Sequence, residues 1–120
     1  MNRRADVDPY RRRISGYRLM WLMVFFDLPV GTKTERYEAT RFRKRLLKDG
    51  FRMHQFSVYF RHCGSAESAD VHVARVGLML PPYGHVSVAQ FTDKQFGRIK
   101  HFFGKGQKPA PPPPPQLEMF

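Results

Sequence analysis

Asp27 is a carboxylate standing directly after eight consecutive apolar residues, Leu19 to Phe26, with Pro29 two positions beyond it. Burying such a group without a partner is costly, so it belongs at a rim or beside a cation. Two roles fit its spacing. It opens the following turn through a side-chain-to-backbone bond, or it holds a divalent ion. In the second case, two copies packed about a two-fold axis bring two Asp27 carboxylates face to face. Mg²⁺ relieves their repulsion, because it accepts one or two carboxylates and fills its octahedron with waters and phosphate oxygens.

The second feature that bears on chemistry is cationic. Twenty-one Lys and Arg stand against ten Asp and Glu, a net charge of +11, which favours a polyanionic partner, most commonly nucleic acid. Arg41, Lys44, Arg45 and Lys48 gather on one flank of an expected helix, with Glu38 and Asp49 as the nearby acids. Such a stripe is either a solvated helix face or a row of phosphate contacts. Arg11, Arg12 and Arg13 add cations to an N-terminal arm of low apolar content. The chain has no nucleotide-binding glycine loop, zinc-ligand spacing or nucleophile elbow. His54, His62, His72, His85 and His101 are scattered and read as surface or interface residues; His62 beside Cys63 is a weak metal-like pair. A single cysteine excludes an intramolecular disulfide and fits a reducing cytoplasm.

The elements that would position these residues follow from the pattern. Leu19–Phe26 suits a strand buried on both faces and is too short to cross a bilayer. Alternation places Leu19, Trp21, Met23 and Phe25 on the face of Asp27, and Met20, Leu22, Val24 and Phe26 on the other. One face is expected to meet the chain's own helices and the other a second copy. The run ends in Asp-Leu-Pro rather than a small-residue cleavage site, so it is read as core and the protein as cytoplasmic. Thr32 or Thr34 caps a helix that runs to about Lys48, stops at Gly50, and buries Ala39, Phe42 and Leu46. Phe51–His62 reads as strand with a bend near His54–Gln55; Phe56, Val58 and Phe60 alternate with Gln55, Ser57, Tyr59 and Arg61. A second helix over roughly 67–80 buries Ala69, Val73, Val76 and Leu80 and ends at Pro81-Pro82. The segment HVSVAQF is a further strand, Thr92-Asp93 begins a short helical turn, and residues 98–103 are extended or helical. The order is βαββαβ, an α+β ferredoxin-like sandwich.

Four parts result: a basic disordered arm over 1–16, the domain over 17–104, a proline-rich linker over 105–115, and a C-terminal segment over 116–120. Pro111–Pro115 form a stiff spacer. Beyond it, Leu117, Met119 and Phe120 are apolar enough to add an edge strand to a neighbouring sheet.

Asp27-Leu28-Pro29 closing the first strand, Gly50-Phe51 leading into Met53-His54-Gln55-Phe56-Ser57-Val58-Tyr59, the later Thr92-Asp93-Lys94-Gln95-Phe96 and the terminal Leu117-Glu118-Met119-Phe120 together resemble the CRISPR-associated Cas-two family, in its type II branch. The resemblance implies a ferredoxin-like homodimer whose C-terminal segment completes a sheet across the dimer or against a partner. It implies a role in CRISPR spacer acquisition, with the dimer bridging the Cas-one integrase and holding duplex spacer DNA. It also implies metal-dependent endonuclease activity on RNA or DNA through the aspartate ending the first strand, here Asp27, with Mg²⁺ as cofactor. Gln55 and Ser57 match polar positions of the second motif. The rival reading is a stand-alone RNA-binding module of the RRM type without catalysis, which would use Phe51, Tyr59 and Phe60 as exposed sheet aromatics.

Overall fold

The computed structural model describes residues 19–105. The elements are β1 (Met20–Asp27), α1 (Lys33–Lys48), β2 (Arg52–Gln55), β3 (Val58–Cys63), α2 (Ala66–Leu78), β4 (His85–Thr92) and α3 (Asp93–Phe96). The four strands form one sheet in the order β2-β3-β1-β4, with every neighbouring pair antiparallel. This is the ferredoxin-like α+β arrangement that the sequence predicts. The basic arm, most of the proline-rich linker and the C-terminal segment, with Arg11, Arg12, Arg13, Leu117, Met119 and Phe120, lie outside the described residues.

β1 is central because it alone is apolar on both faces. Leu22, Val24 and Phe26 turn toward the helices and join Phe42 and Leu46 of α1, Ala69 and Val76 of α2, and Phe51, Tyr59 and Cys63 in one buried cluster. The ring of Phe26 meets Phe42 edge-on at 5.2 Å. On the opposite face, Trp21 is only 4% exposed. It stacks on Phe96 of α3 at 3.9 Å and donates from Nε1 to Asp93 Oδ1 at 2.7 Å. The chain's own short helix therefore covers one end of the face expected to await a second copy. Phe25, nearer Asp27, is still 40% exposed.

Local chemistry sets the helix limits. Thr32 accepts from Glu35 N while the Glu35 side chain accepts from Thr32 N, a reciprocal cap. Gly50, with φ 95°, takes the left-handed conformation that ends α1. Thr92 and Gln95 repeat the capping box at α3.

Three expectations are corrected. α2 stops at Leu78 and leaves Leu80 49% exposed. Pro81 disfavours helical backbone in the residue before it, and the missing N–H of a proline cannot continue the ladder. Phe56 does not share the face of Val58 and Phe60: it sits in the β2–β3 turn, 76% exposed. His72 is not a surface histidine but a buried one, with Nδ1 2.7 Å from Asp49 Oδ2. Asp49 also accepts from Arg75 at 3.0 Å, and its carbonyl accepts from Arg61 Nε at 2.9 Å, so one residue ties the end of α1 to α2 and β3. Arg75 is mostly solvated, so the His72 contact carries most of the stabilisation. Asp49→Ala is expected to lower the unfolding free energy by about 1–3 kcal/mol in urea titration. Asp49→Asn is expected to cost less, because its amide oxygen still accepts one bond.

Candidate functional site

Asp27 ends β1 on the face turned away from α1 and α2. Its carboxylate is exposed and makes no hydrogen bond or ion pair among the described residues, so the turn-opening bond is not formed. The site around it is assembled by main chain. Ser57 O accepts from Phe26 N at 3.1 Å and brings the β2–β3 turn alongside the strand end. On the other side Asp27 pairs in register with His85, the first residue of β4. Gly84 precedes it at φ 95°, and a Cβ there would lie 2.7 Å from Asp27 O. A side chain at position 84 is thus excluded by both backbone conformation and space.

Among the described residues, no group of three or more His, Cys, Asp or Glu side chains converges as a metal cage. One chain offers a single free carboxylate at Asp27. An ion held there would keep most of its own waters, as Mg²⁺ does, rather than being enclosed by protein.

The cations occupy a different surface. Arg41, Lys44 and Lys48 are exposed on α1, in the helix layer, and the structure does not bring them to Asp27. Arg41 is lightly paired with Glu38 at 3.8 Å. Arg45 is half-buried, with Nη1 3.5 Å from Met79 O. It lines a groove of about 500 Å³ with Lys48, Asp49, Arg75, Leu78 and Met79. Arg75 extends the basic stripe onto α2, and sequence reasoning misses it because its sequence neighbours are apolar or small. Arg43 escapes the sequence reading as well. Its guanidinium lies over Phe26 at 5.7 Å and over Phe56 at 4.9 Å, where ring faces attract the charge.

The aromatics of the RRM-type reading are buried and cannot stack on bases: Phe51 is 0% exposed, Tyr59 2% and Phe60 2%. Tyr59 faces the helices, and burial raises its hydroxyl pKa against the opposing pull of Arg43. Cys63 also faces the helix layer, buried, while His62 packs against Trp21 on the opposite face, so the pair does not converge. Burial likewise raises the Cys63 thiol.

Residues 20–99 match the family model described as CRISPR associated protein Cas2. The chain belongs to the CRISPR-associated Cas2 family. It is similar to the CRISPR-associated endoribonuclease Cas2 of Flavobacterium psychrophilum, at 49% identity over 113 residues that cover 94% of this chain and 98% of that one. It is also similar to that of Parvibaculum lavamentivorans, at 50% identity over 101 residues covering 84% of this chain and all of the relative. A crystal structure of Cas2 shares the fold at TM-score 0.52 and 22% identity, covering 78% of this chain and 95% of the other. No helix among the described residues is long and apolar enough to cross a membrane.

Within this Cas2 fold, residues 99–103 follow α3 without regular structure and lay His101 against His54, with ring centroids 4.9 Å apart. Burial, and secondarily His101, lowers the His54 pKa below its ordinary 6.5. The unfolded chain therefore binds more protons than the folded one as pH falls through that value, and folding loses stability there. Stability of the wild type is expected to decline below about pH 6.5 more steeply than that of His54→Gln, as measured by urea unfolding across pH 5–8.

Proposed function

We propose that this Cas2 family member is a CRISPR spacer-acquisition subunit: a cytoplasmic homodimer that bridges the Cas-one integrase, holds duplex DNA and carries an endonuclease site at Asp27. The observation that carries the site is the exposed carboxylate of Asp27, free of internal partners at the mouth of the central strand. The similar proteins named CRISPR-associated endoribonuclease Cas2 support phosphodiester cleavage, with RNA as the first substrate to test and DNA as the second.

Asp27 would hold Mg²⁺, which when bound supplies an activated water and screens the charge of the scissile phosphate. The chain's own residues place that carboxylate. β1 fixes it at the sheet end, the Phe26–Ser57 bond holds the neighbouring turn, and Gly84 lets β4 close against it. Phe25 and the rest of the uncovered face would meet the second copy and bring its Asp27 near. The separate helix layer suits duplex DNA, with Arg41, Lys44, Arg45 and Lys48 reaching phosphates. Arg11, Arg12 and Arg13 would add contacts from the arm, and Leu117, Met119 and Phe120 would dock on a neighbouring sheet.

Two experiments test these surfaces separately. Asp27→Ala, after light scattering confirms that it still dimerises, is expected to lower Mg²⁺-dependent RNA cleavage about 100-fold or more. That exceeds the roughly 10–100-fold loss typical of residues behind a metal ligand. Spacer acquisition in cells is expected to persist in the same variant if the protein serves there as a DNA-holding scaffold. Unchanged cleavage would remove Asp27 from the chemistry. Replacing Arg41, Lys44 and Lys48 with Gln is expected to weaken duplex binding. It should also flatten the slope of log K against log salt by about 0.9 for each phosphate no longer neutralised.

A further inference from the structure

We propose that His85 is a second substrate-contacting residue of the Asp27 site, donating a ring N–H to a non-bridging oxygen of the bound phosphodiester. The proposal rests on the endonuclease reading of Asp27 and adds to it the group that makes a phosphate welcome there. Apart from any ion held at Asp27, its carboxylate repels a phosphodiester. Its nearest neighbours on the same face, Phe25 and Ser87, are uncharged; Lys100 lies further along that face, lining a pocket with Met23, and the α1 cations lie on the other side of the sheet.

Three observations place His85 in that role. It stands directly opposite Asp27 in the antiparallel β1–β4 register. Directly opposed residues share a face, with Cβ atoms about 4.5–5.5 Å apart, so the imidazole and the carboxylate rise side by side. The register is pinned immediately before His85: at Gly84 a Cβ would lie 2.7 Å from Asp27 O, 2.7 Å from Leu28 Cδ2 and 3.0 Å from Leu28 Cα. Because β4 starts in backbone contact with Asp27 and Leu28, the His85 Cα has little room to drift. Finally, both residues are exposed, and neither side chain makes a hydrogen bond or ion pair among the described residues, including one to the other. Here a carboxylate oxygen and an imidazole N–H both remain open toward the same solvent-facing space. Hydrogen bonds to an ionised phosphate are short and strong, so one such donor changes affinity measurably.

The test uses the full chain, isotope-labelled for NMR, with a short 2′-O-methyl oligoribonucleotide and Ca²⁺ so that binding is read without turnover. The His85 ring C–H signals are expected to shift saturably as oligonucleotide is added. His85→Ala is expected to weaken binding about 5–10-fold with an unchanged amide spectrum. His85→Asn or His85→Gln, which keep an N–H donor near one or other ring nitrogen, is expected to recover affinity to within about twofold of the wild type. If the oligonucleotide binds while the His85 signals stay still and His85→Ala binds as the wild type does, the proposal is overturned and the endonuclease reading stands. If the wild type neither binds the oligonucleotide nor cleaves RNA with Mg²⁺, the endonuclease reading fails and takes this proposal with it.

Discussion

The central strand must be covered on two apolar faces and yet deliver a carboxylate to solvent at its end. Each feature around it answers part of that constraint. α1 and α2 bury Leu22, Val24 and Phe26. α3 folds back over Trp21, anchored by the indole hydrogen bond to Asp93 and by Asp93 N donating to Leu19 O at 2.8 Å. The cover thins toward Asp27, where Phe25 is partly open. A strand buried along its whole length would have to neutralise Asp27 or lose it. Ending the cover two residues early keeps the charge in water at no desolvation cost.

This geometry also separates the two candidate surfaces. Period-2 alternation sends Asp27 away from the helices, while the 3.6-residue period of α1 sends Arg41, Lys44 and Lys48 outward on the other side. A polyanion lying on the helix layer does not touch Asp27 of the same chain. Holding duplex DNA and cleaving a phosphodiester are therefore physically independent propositions for this molecule, and losing one need not abolish the other.

How far the sequence can be read depends on whether the deciding interaction is local. Thr32 and Glu35 are three residues apart, and Gly50 acts through its own backbone, so both ends of α1 are legible. The open face of β1 is legible for the same reason, since alternation needs no knowledge of neighbours. Asp49 and His72 are 23 positions apart, and nothing in either's surroundings announces the pair. A histidine at the i+3 position after Ala69 carries the signal in principle, because that position lies on the buried stripe of α2. Alternation misplaces the face of Phe56 because it carries the strand on through residues 56–57, which form the turn. Register shifts between Met53 and Gln55, and the turn that follows frees the ring to meet Arg43.

The site itself is legible only as a residue type at a position. That Asp27 follows an apolar run can be read directly, but what stands beside it depends on strand pairing across 58 residues, from Asp27 to His85. Gly84 can be placed before the last strand, but its reason emerges only when the backbone of Asp27 and Leu28 is seen to fill the space a Cβ would need. A glycine required for close approach, the residue it pins and the carboxylate it abuts act as one unit. Under the proposed homodimer, a one-residue slip between β1 and β4 would send His85 to the helix side and leave each carboxylate at the two-fold without its imidazole. The precision of the candidate site is therefore set by strand register, and that register is enforced at a position that carries no side chain at all.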